Sequence, residues 1–323
     1  MSNRPYINER FPIGESLSPP VIGIPVPECA ESVYVSGFIP HAKVRVFANL
    51  VEMLAEEEPP FGFREMTLSR PVKLGESLTA TQAVGAITSL HSILPTIVSP
   101  LDETAVRNTK PDVGDDLYQC GIVVPVGNLV PGVRVHVSEN SGEIGNEPTA
   151  KTWHPVVTQP LHAAGKVTAQ QFACEGTAHE VRGVVSDPVT VKAAPNPPPA
   201  PLVEPSSLIK GNDVVTVTGL LVGAGAEIFD SGASVSKGWY ATGSANWFPV
   251  DPPLTGGPVM ATQELCHNVS KPSDPVAPKA ELPAPIVVGP ICDGARFVVV
   301  RNTIVNAIVV LRRNGVTVGY GGA

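Results

Sequence analysis

Aromatic residues make up only 5% of this chain and charged residues 16%, so long helices laced by salt bridges are excluded as its main architecture. Lys and Arg nowhere cluster and the net charge is −8, which leaves no electrostatic footprint for nucleic acid or an anionic membrane surface. No apolar run approaches the roughly 18 residues of a membrane span. The opening MSNRPYINER has neither the basic start nor the apolar stretch of a signal peptide, so export would need a removed leader or another route. Also missing are H-E-x-x-H, C-x-x-C, G-x-x-x-x-G-K and a nucleophile elbow with its triad order. The sequence therefore nominates no catalytic residue, cofactor or metal ligand, and a non-enzyme is expected.

What the chain does have is turn punctuation, with 35 Pro and 30 Gly among 323 residues, and many short Val-rich runs of the kind that form strands. It also repeats itself. PHAKVRVFAN from Pro40 returns as PGVRVHVSEN from Pro131, GAGAEIFDSG from Gly223 and VNAIVVLRRN from Val305. Aligning Ala42, Val133, Ala226 and Ala307 gives separations of 91, 93 and 81 residues, the size of one small β-sandwich. A proline-bounded strand precedes each copy. Three copies are followed by a second phrase, PVKLGESLTATQAV, PLHAAGKVTAQQFA or PLTGGPVMATQEL, in which Gln82, Gln171 and Gln263 occupy matching places. Phe63, Trp153 and Trp247 are expected to plug the three cores.

The order V-x-V-x-G, P-G-x-x-V-x-V, N-G-x-x-I-G and P-L-x-x-G-x-x-V-T-A-x-Q resembles the tandem bacterial immunoglobulin-like repeats of surface adhesins and secreted multidomain proteins. The resemblance covers roughly residues 18 to 280 and implies all-β architecture: tandem Ig-like antiparallel sandwiches strung as a rod, used as a spacer, stalk or adhesion array. On this reading residues 1–17 are an arm, 18–98, 109–195 and 199–280 are domains, and 283–323 is an incomplete half-domain. Proline-rich joints at 191–205 and 271–285 are expected to extend and hold the domains apart.

Cys120 precedes the first core strand of copy two and Cys174 lies in its last strand, so a bridge within that sandwich is expected. Cys266 matches Cys174 and Cys292 matches Cys29. A bridge from Cys266 to Cys292 across the linker is the second candidate, and Cys29 is left over. Five reduced, buried cysteines in an intracellular protein form the alternative. His136, His154, His162 and His179 all fall in copy two but read as surface histidines, because the alternation Val133, Val135, Val137 turns His136 to solvent. Asp112–Asp116 (DVGDD) reads as a solvated turn rather than a calcium site, while Trp239 and Tyr240 are the candidate glycan contact.

Copy four stops at NGVTVGYGGA, without the aromatic strand or the second phrase. About 41 residues of half a sandwich do not close a core, so either the parent chain is longer or another strand completes it. Residues 1–17 are the natural donor, since PIGESLS echoes KLGESLT of the missing phrase. Copy four also places Ile308 and Val310 on its outward face, where copies one and two carry charged or polar residues, with Val309 and Leu311 inward. The expected subunit interface comprises Pro12, Ile13, Phe297, Val299, Ile308, Val309, Val310 and Leu311. The leading expectation is thus an extracellular or cell-surface structural protein whose partner is itself, head to tail, or neighbouring domains of a longer chain. The rivals are a spacer or glycan-binding region of a larger secreted enzyme or adhesin, and a phage or virion surface component.

Overall fold

The computed structural model describes residues 17–206, 208–279, 282–292, 294–295 and 298–322. Pro12, Ile13 and Phe297 lie outside the described residues.

The chain is built from antiparallel sheets. Sandwich 1 contains β1 (Val21–Ile22), β2 (Ser32–Ser36), β3 (Lys43–Ala48), β4 (Glu52–Glu57), β5 (Phe63–Thr67), β6 (Ser77–Val84), β7 (Ile87–Thr88) and β8 (Thr96–Ile97). One sheet runs β1-β2-β5 and the other β4-β3-β6-β7, with β8 also on β6. Alternation sets the two faces: in β3, Val44, Val46 and Ala48 point inward between Lys43, Arg45 and Phe47. The inward set joins Val33, Val35, Leu54, Met66 and Leu78 in the core.

Sandwich 2 repeats the plan with β9 (Asp112–Val113), β10 (Val123–Gly127), β11 (Arg134–Glu139), β12 (Gly142–Pro148), β13 (His154–Val157), β14 (Lys166–Ala173), β15 (Val181–Val185) and β16 (Val189–Thr190). Sandwich 3 repeats it with β17 (Leu202–Val203), β18 (Val214–Thr218), β19 (Gly225–Asp230), β20 (Ala233–Tyr240), β21 (Ala245–Pro249), β22 (Val259–Leu265) and β23 (Asn268–Val269). Helix α1 (Glu103–Asn108) joins the first two sandwiches. Asp102 caps it by accepting from the Ala105 N–H at 2.9 Å, and Val106 is buried in the core of sandwich 2.

A half-sandwich follows, with β24 (Ile286–Val287) on β25 (Val300–Arg301) and β26 (Ile308–Arg313) on β27 (Val316–Gly322). The repeated phrase is therefore β3, β11, β19 and β26 with the turn that follows. Asn49–Leu50, Asn140–Ser141, Ser231–Gly232 and Asn314–Gly315 all have both residues at positive φ, the geometry that suits tight hairpins.

Three expectations are corrected. The strands match at Lys43, Arg134, Gly225 and Ile308, so the third copy aligns two residues earlier than the phrases suggested, at Ala224 instead of Ala226. Phe63 is only partly buried and stands outside the core that Met66 enters, Trp153 and Trp247 are each 46% exposed, and the core position of β21 goes to Phe248 at 1%. Alternation puts only one of two adjacent residues inside, and aliphatic side chains already fill these cores. The proline-rich joint at 191–205 does not keep its sandwiches apart, because the Cys120–Cys266 disulfide and the contacts of Leu221, Ala224 and Leu265 hold them together.

Candidate assembly interface

Each sandwich has a tail loop between its first two strands (27–31, 118–122, 209–213) and, at the opposite end, a head. The head is formed by the loop before the phrase (39–42, 130–133, 221–224) and the turn that closes at Gly85, Cys174 or Cys266. The matching glutamines build the heads. Gln82, Gln171 and Gln263 are fully buried, and their Oε1 atoms accept from the backbone N–H of Ile39, Val130 and Leu221 at 2.8, 3.1 and 2.8 Å. Their Nε2 groups donate to carbonyls of the incoming chain at Ser18, at Val106 and Thr109, and at Pro199. One side chain thus fixes both the head loop and the entering segment, while satisfying buried backbone groups.

Heads meet tails at two joints. The disulfides are Cys29–Cys174 and Cys120–Cys266, with Cα separations of 5.0 and 5.3 Å. Each ties the tail of one sandwich to the head of the next. The expected Cys120–Cys174 bridge is overturned because these residues lie at opposite ends of sandwich 2. Cys29, the one left over, is bonded. Cys292 is exposed and free, so Cys266 is not its partner. Counting from the cis bonds Ile24–Pro25 and Gly289–Pro290, it is Gly294 that matches Cys29. A Cβ on Gly132 would collide with Pro27, and one on Gly223 with the backbone of Gly121 and Ile122; glycine is what allows the heads to approach this closely.

Polar side chains complete the first joint. Arg134 pairs with Glu31 across it. His154 lies between Glu65 of sandwich 1 at 3.2 Å and Glu147 of its own sandwich at 2.9 Å. Burial pushes the His154 imidazole down, but the hydrogen bonds and charges of Glu147 and Glu65 outweigh it and raise its pKa to about 9. Burial likewise pushes Glu65 up, and it is outweighed by His154 and the Ala150 N–H, so Glu65 ends below the usual carboxylate value. Lys151 sits 4.2 Å from the Tyr34 ring centroid. His154 is therefore no surface histidine. His136 does face outward as expected, but it lies against Phe172 between Glu143 and Glu175 rather than in solvent. In the second joint, Leu221, Ala224 and Leu265 of sandwich 3 bury against Tyr118, Cys120 and Ala194 of sandwich 2.

The array also turns back on itself. His41 in the head of sandwich 1 lies 3.3 Å from Asp213 in the tail of sandwich 3, and Phe63 meets Trp247 edge-on with centroids 5.7 Å apart. Asn306 of the half-sandwich donates to the Pro60 carbonyl at 2.6 Å and to Asp213 at 3.1 Å.

In the half-sandwich, among the described residues, β26 pairs with β27 and β25 with β24, each on one side. Their counterparts β3, β11 and β19, and β2, β10 and β18, each have two neighbours. Val299, Val309, Leu311 and Val318 face a cleft of about 1700 Å³ whose other wall is sandwich 1, including Val21 and Leu94. Ile308 instead packs on sandwich 1, whereas Val310 is 41% exposed. Trp239 and Tyr240 are half-exposed at the end of β20. In DVGDD, Asp116 holds Lys192 at 2.7 Å. Among the described residues, no helix is long and apolar enough to cross a membrane.

The pairing of a three-stranded with a four- or five-stranded antiparallel sheet, three times over, defines the class as a tandem array of immunoglobulin-like sandwiches. No family model and no curated protein matches the chain. Among solved structures, it is similar to the FN1–FN3 domains of chicken CNTN1, at 12% identity over 82% of this chain and 100% of that one, with a TM-score of 0.22. It is similar to the BSP domain of a biofilm associated protein, at 10% identity over 86% and 70%, with a TM-score of 0.26. A third is Bacteroides ovatus SGBP-B in complex with a mixed-linkage heptasaccharide, at 12% identity over 84% and 72%, with a TM-score of 0.25.

Proposed function

We propose that this chain is a non-enzymatic structural and adhesive protein of the cell exterior, and that its half-sandwich takes a strand from another copy so that subunits join head to tail. The observation that carries this reading is the half-sandwich itself: two strands with one neighbour each among the described residues, beside an open apolar cleft of about 1700 Å³. A sheet edge next to an unfilled core is a template for an added strand. The donor is the arm ahead of Leu17, with Pro12 and Ile13 entering the cleft against Val299, Val309 and Leu311. Phe297 belongs to the same proposed contact. Two disulfides in a chain of five cysteines favour an oxidising compartment.

Deleting residues 1–16 is expected to abolish polymers seen by light scattering and negative-stain microscopy, while the melting of the sandwiches stays unchanged. Polymers of undiminished length from the deletion would refute the strand donor. A glycan-contact reading is supported by the exposure of Trp239 and Tyr240. It predicts quenching of Trp239 fluorescence by soluble β-glucan oligosaccharides, lost in Trp239→Ala.

A further inference from the structure

The heads of sandwiches 2 and 3 carry matching apolar residues, Val130, Val133 and Ala173 in one and Leu221, Ala224 and Leu265 in the other, and each head meets the tail of the preceding sandwich. Sandwich 1 has the same trio, Ile39, Ala42 and Val84, but among the described residues no tail of another sandwich meets it. Its trio is covered by Leu17 together with Tyr320 and Ile308 of the half-sandwich. Tyr320 is 5% exposed, and its backbone N–H donates to the Ser18 hydroxyl at 3.1 Å. The strand Gly319–Gly322 lies so close that a Cβ on Gly322 would meet the Phe38 carbonyl and Gly62.

The covering unit differs from every other neighbour in how it is attached. Sandwiches 1, 2 and 3 are clamped in series by two disulfides. The half-sandwich has none: Gly211 stands at the tail position of sandwich 3 where Cys29 and Cys120 stand in the others, and Cys292 is free. After Lys279, which still bridges to Ile209, six residues, 280–285, lead to β24.

We infer that the head of sandwich 1, built from Ser18, Ile39, Ala42 and Val84, is a docking surface for the C-terminal half-sandwich of a second copy of this chain. The contact seen within one chain is the same contact in its closed form. Exchange breaks no covalent bond, since the half-sandwich carries no disulfide, whereas the joints between consecutive sandwiches are covalently held. The occupant is a second copy because the surface already fits this chain's own Tyr320 and Ile308. This inference rests on the self-assembly reading; Ser18 and Tyr320 border the same cleft that the strand donor would enter, but the contact itself is made by residues 17–18 and 319–322 and needs nothing ahead of Leu17.

The geometry supplies a trap. A Cβ built on Gly319 lies 3.9 Å from the Ser18 Cβ, within the usual spacing for a disulfide. In a Cys292→Ser background, Ser18→Cys and Gly319→Cys proteins are mixed and oxidised. The expected product is a dimer whose peptide map joins residues 18 and 319 of different chains, and the double variant should give a ladder of cross-linked copies. If the double variant runs wholly as a monomer bridged within one chain and the mixture gives no 18–319 link, the contact is intramolecular and the inference fails. Absence of the link in both samples also overturns it, provided Cys29–Cys174 and Cys120–Cys266 map intact. The two proposals separate cleanly. An intermolecular 18–319 link that survives deletion of residues 1–16 supports the head surface when the strand donor fails, and arm-dependent polymers with only intramolecular links show the reverse.

Discussion

At the scale of single residues, His154 shows how a joint is held by charge. Its folded pKa of about 9 lies above the ordinary histidine value, so its contribution is complete below about pH 6.5 and is lost as pH rises through about 9. Glu65 is shifted the other way: its contribution is present above the ordinary carboxylate value and is lost as pH falls through its lowered pKa. The first joint should therefore be tightest between the carboxylate range and about pH 6.5. Urea unfolding at pH 6.5 and pH 10 is expected to show a loss on the order of 3 kcal/mol that His154→Gln does not show. Equal losses in both proteins would mean that the imidazole is not bridging. The three buried glutamines act at the same scale through a neutral device, which is why they recur where a charged side chain would be costly to bury.

Among the elements, the tail loop and the turn at the head gain their importance from the disulfides that join them. Cys29 and Cys174 are 145 residues apart and Cys120 and Cys266 are 146 apart. Closing loops of that length constrains the unfolded chain by up to about 5 kcal/mol each in the chain-entropy model. Replacing Cys120 and Cys266 together by serine is expected to lower stability in urea by roughly 3 to 5 kcal/mol, with the sheet signal of the native state retained. A loss within error of zero would show that the second joint is held by Leu221, Ala224 and Leu265 alone. The hairpin β26–β27 is the opposite case, an element that is well formed but has one bare edge.

For the whole molecule, the decisive contacts are those between the first and third sandwiches, His41 with Asp213 and Phe63 with Trp247. They bring the two ends of a tandem array together and place the half-sandwich against sandwich 1. Small-angle scattering of the monomer should give a radius of gyration closer to the roughly 20 Å of a compact chain of this length than to that of sandwiches laid end to end. Asp213→Lys with Trp247→Ala should raise it. An unchanged radius in the double variant would mean that the two disulfide joints alone set the bend.

Composition and two-residue alternation determined the all-β class and the inward face of each repeated strand, because burial of every second side chain is written locally. Repetition alone revealed the fourth copy of the strand and the place of Gln82, Gln171 and Gln263. Which cysteines pair was decided only in three dimensions. Cys120 and Cys174 share a repeat, yet they stand at its opposite ends, and each faces a neighbouring sandwich. The sequence also marked Trp153 and Trp247 as large and apolar without saying that Phe248 and the aliphatic residues already filled the cores. His154 is kept charged by Glu147, which is local, and by Glu65 across the joint, 89 residues away in sequence, and Tyr320 is buried against Leu17 at the other end of the described chain. Local pattern specifies which way a side chain faces within its own sheet, whereas what it meets across a joint depends on how whole sandwiches are set against one another.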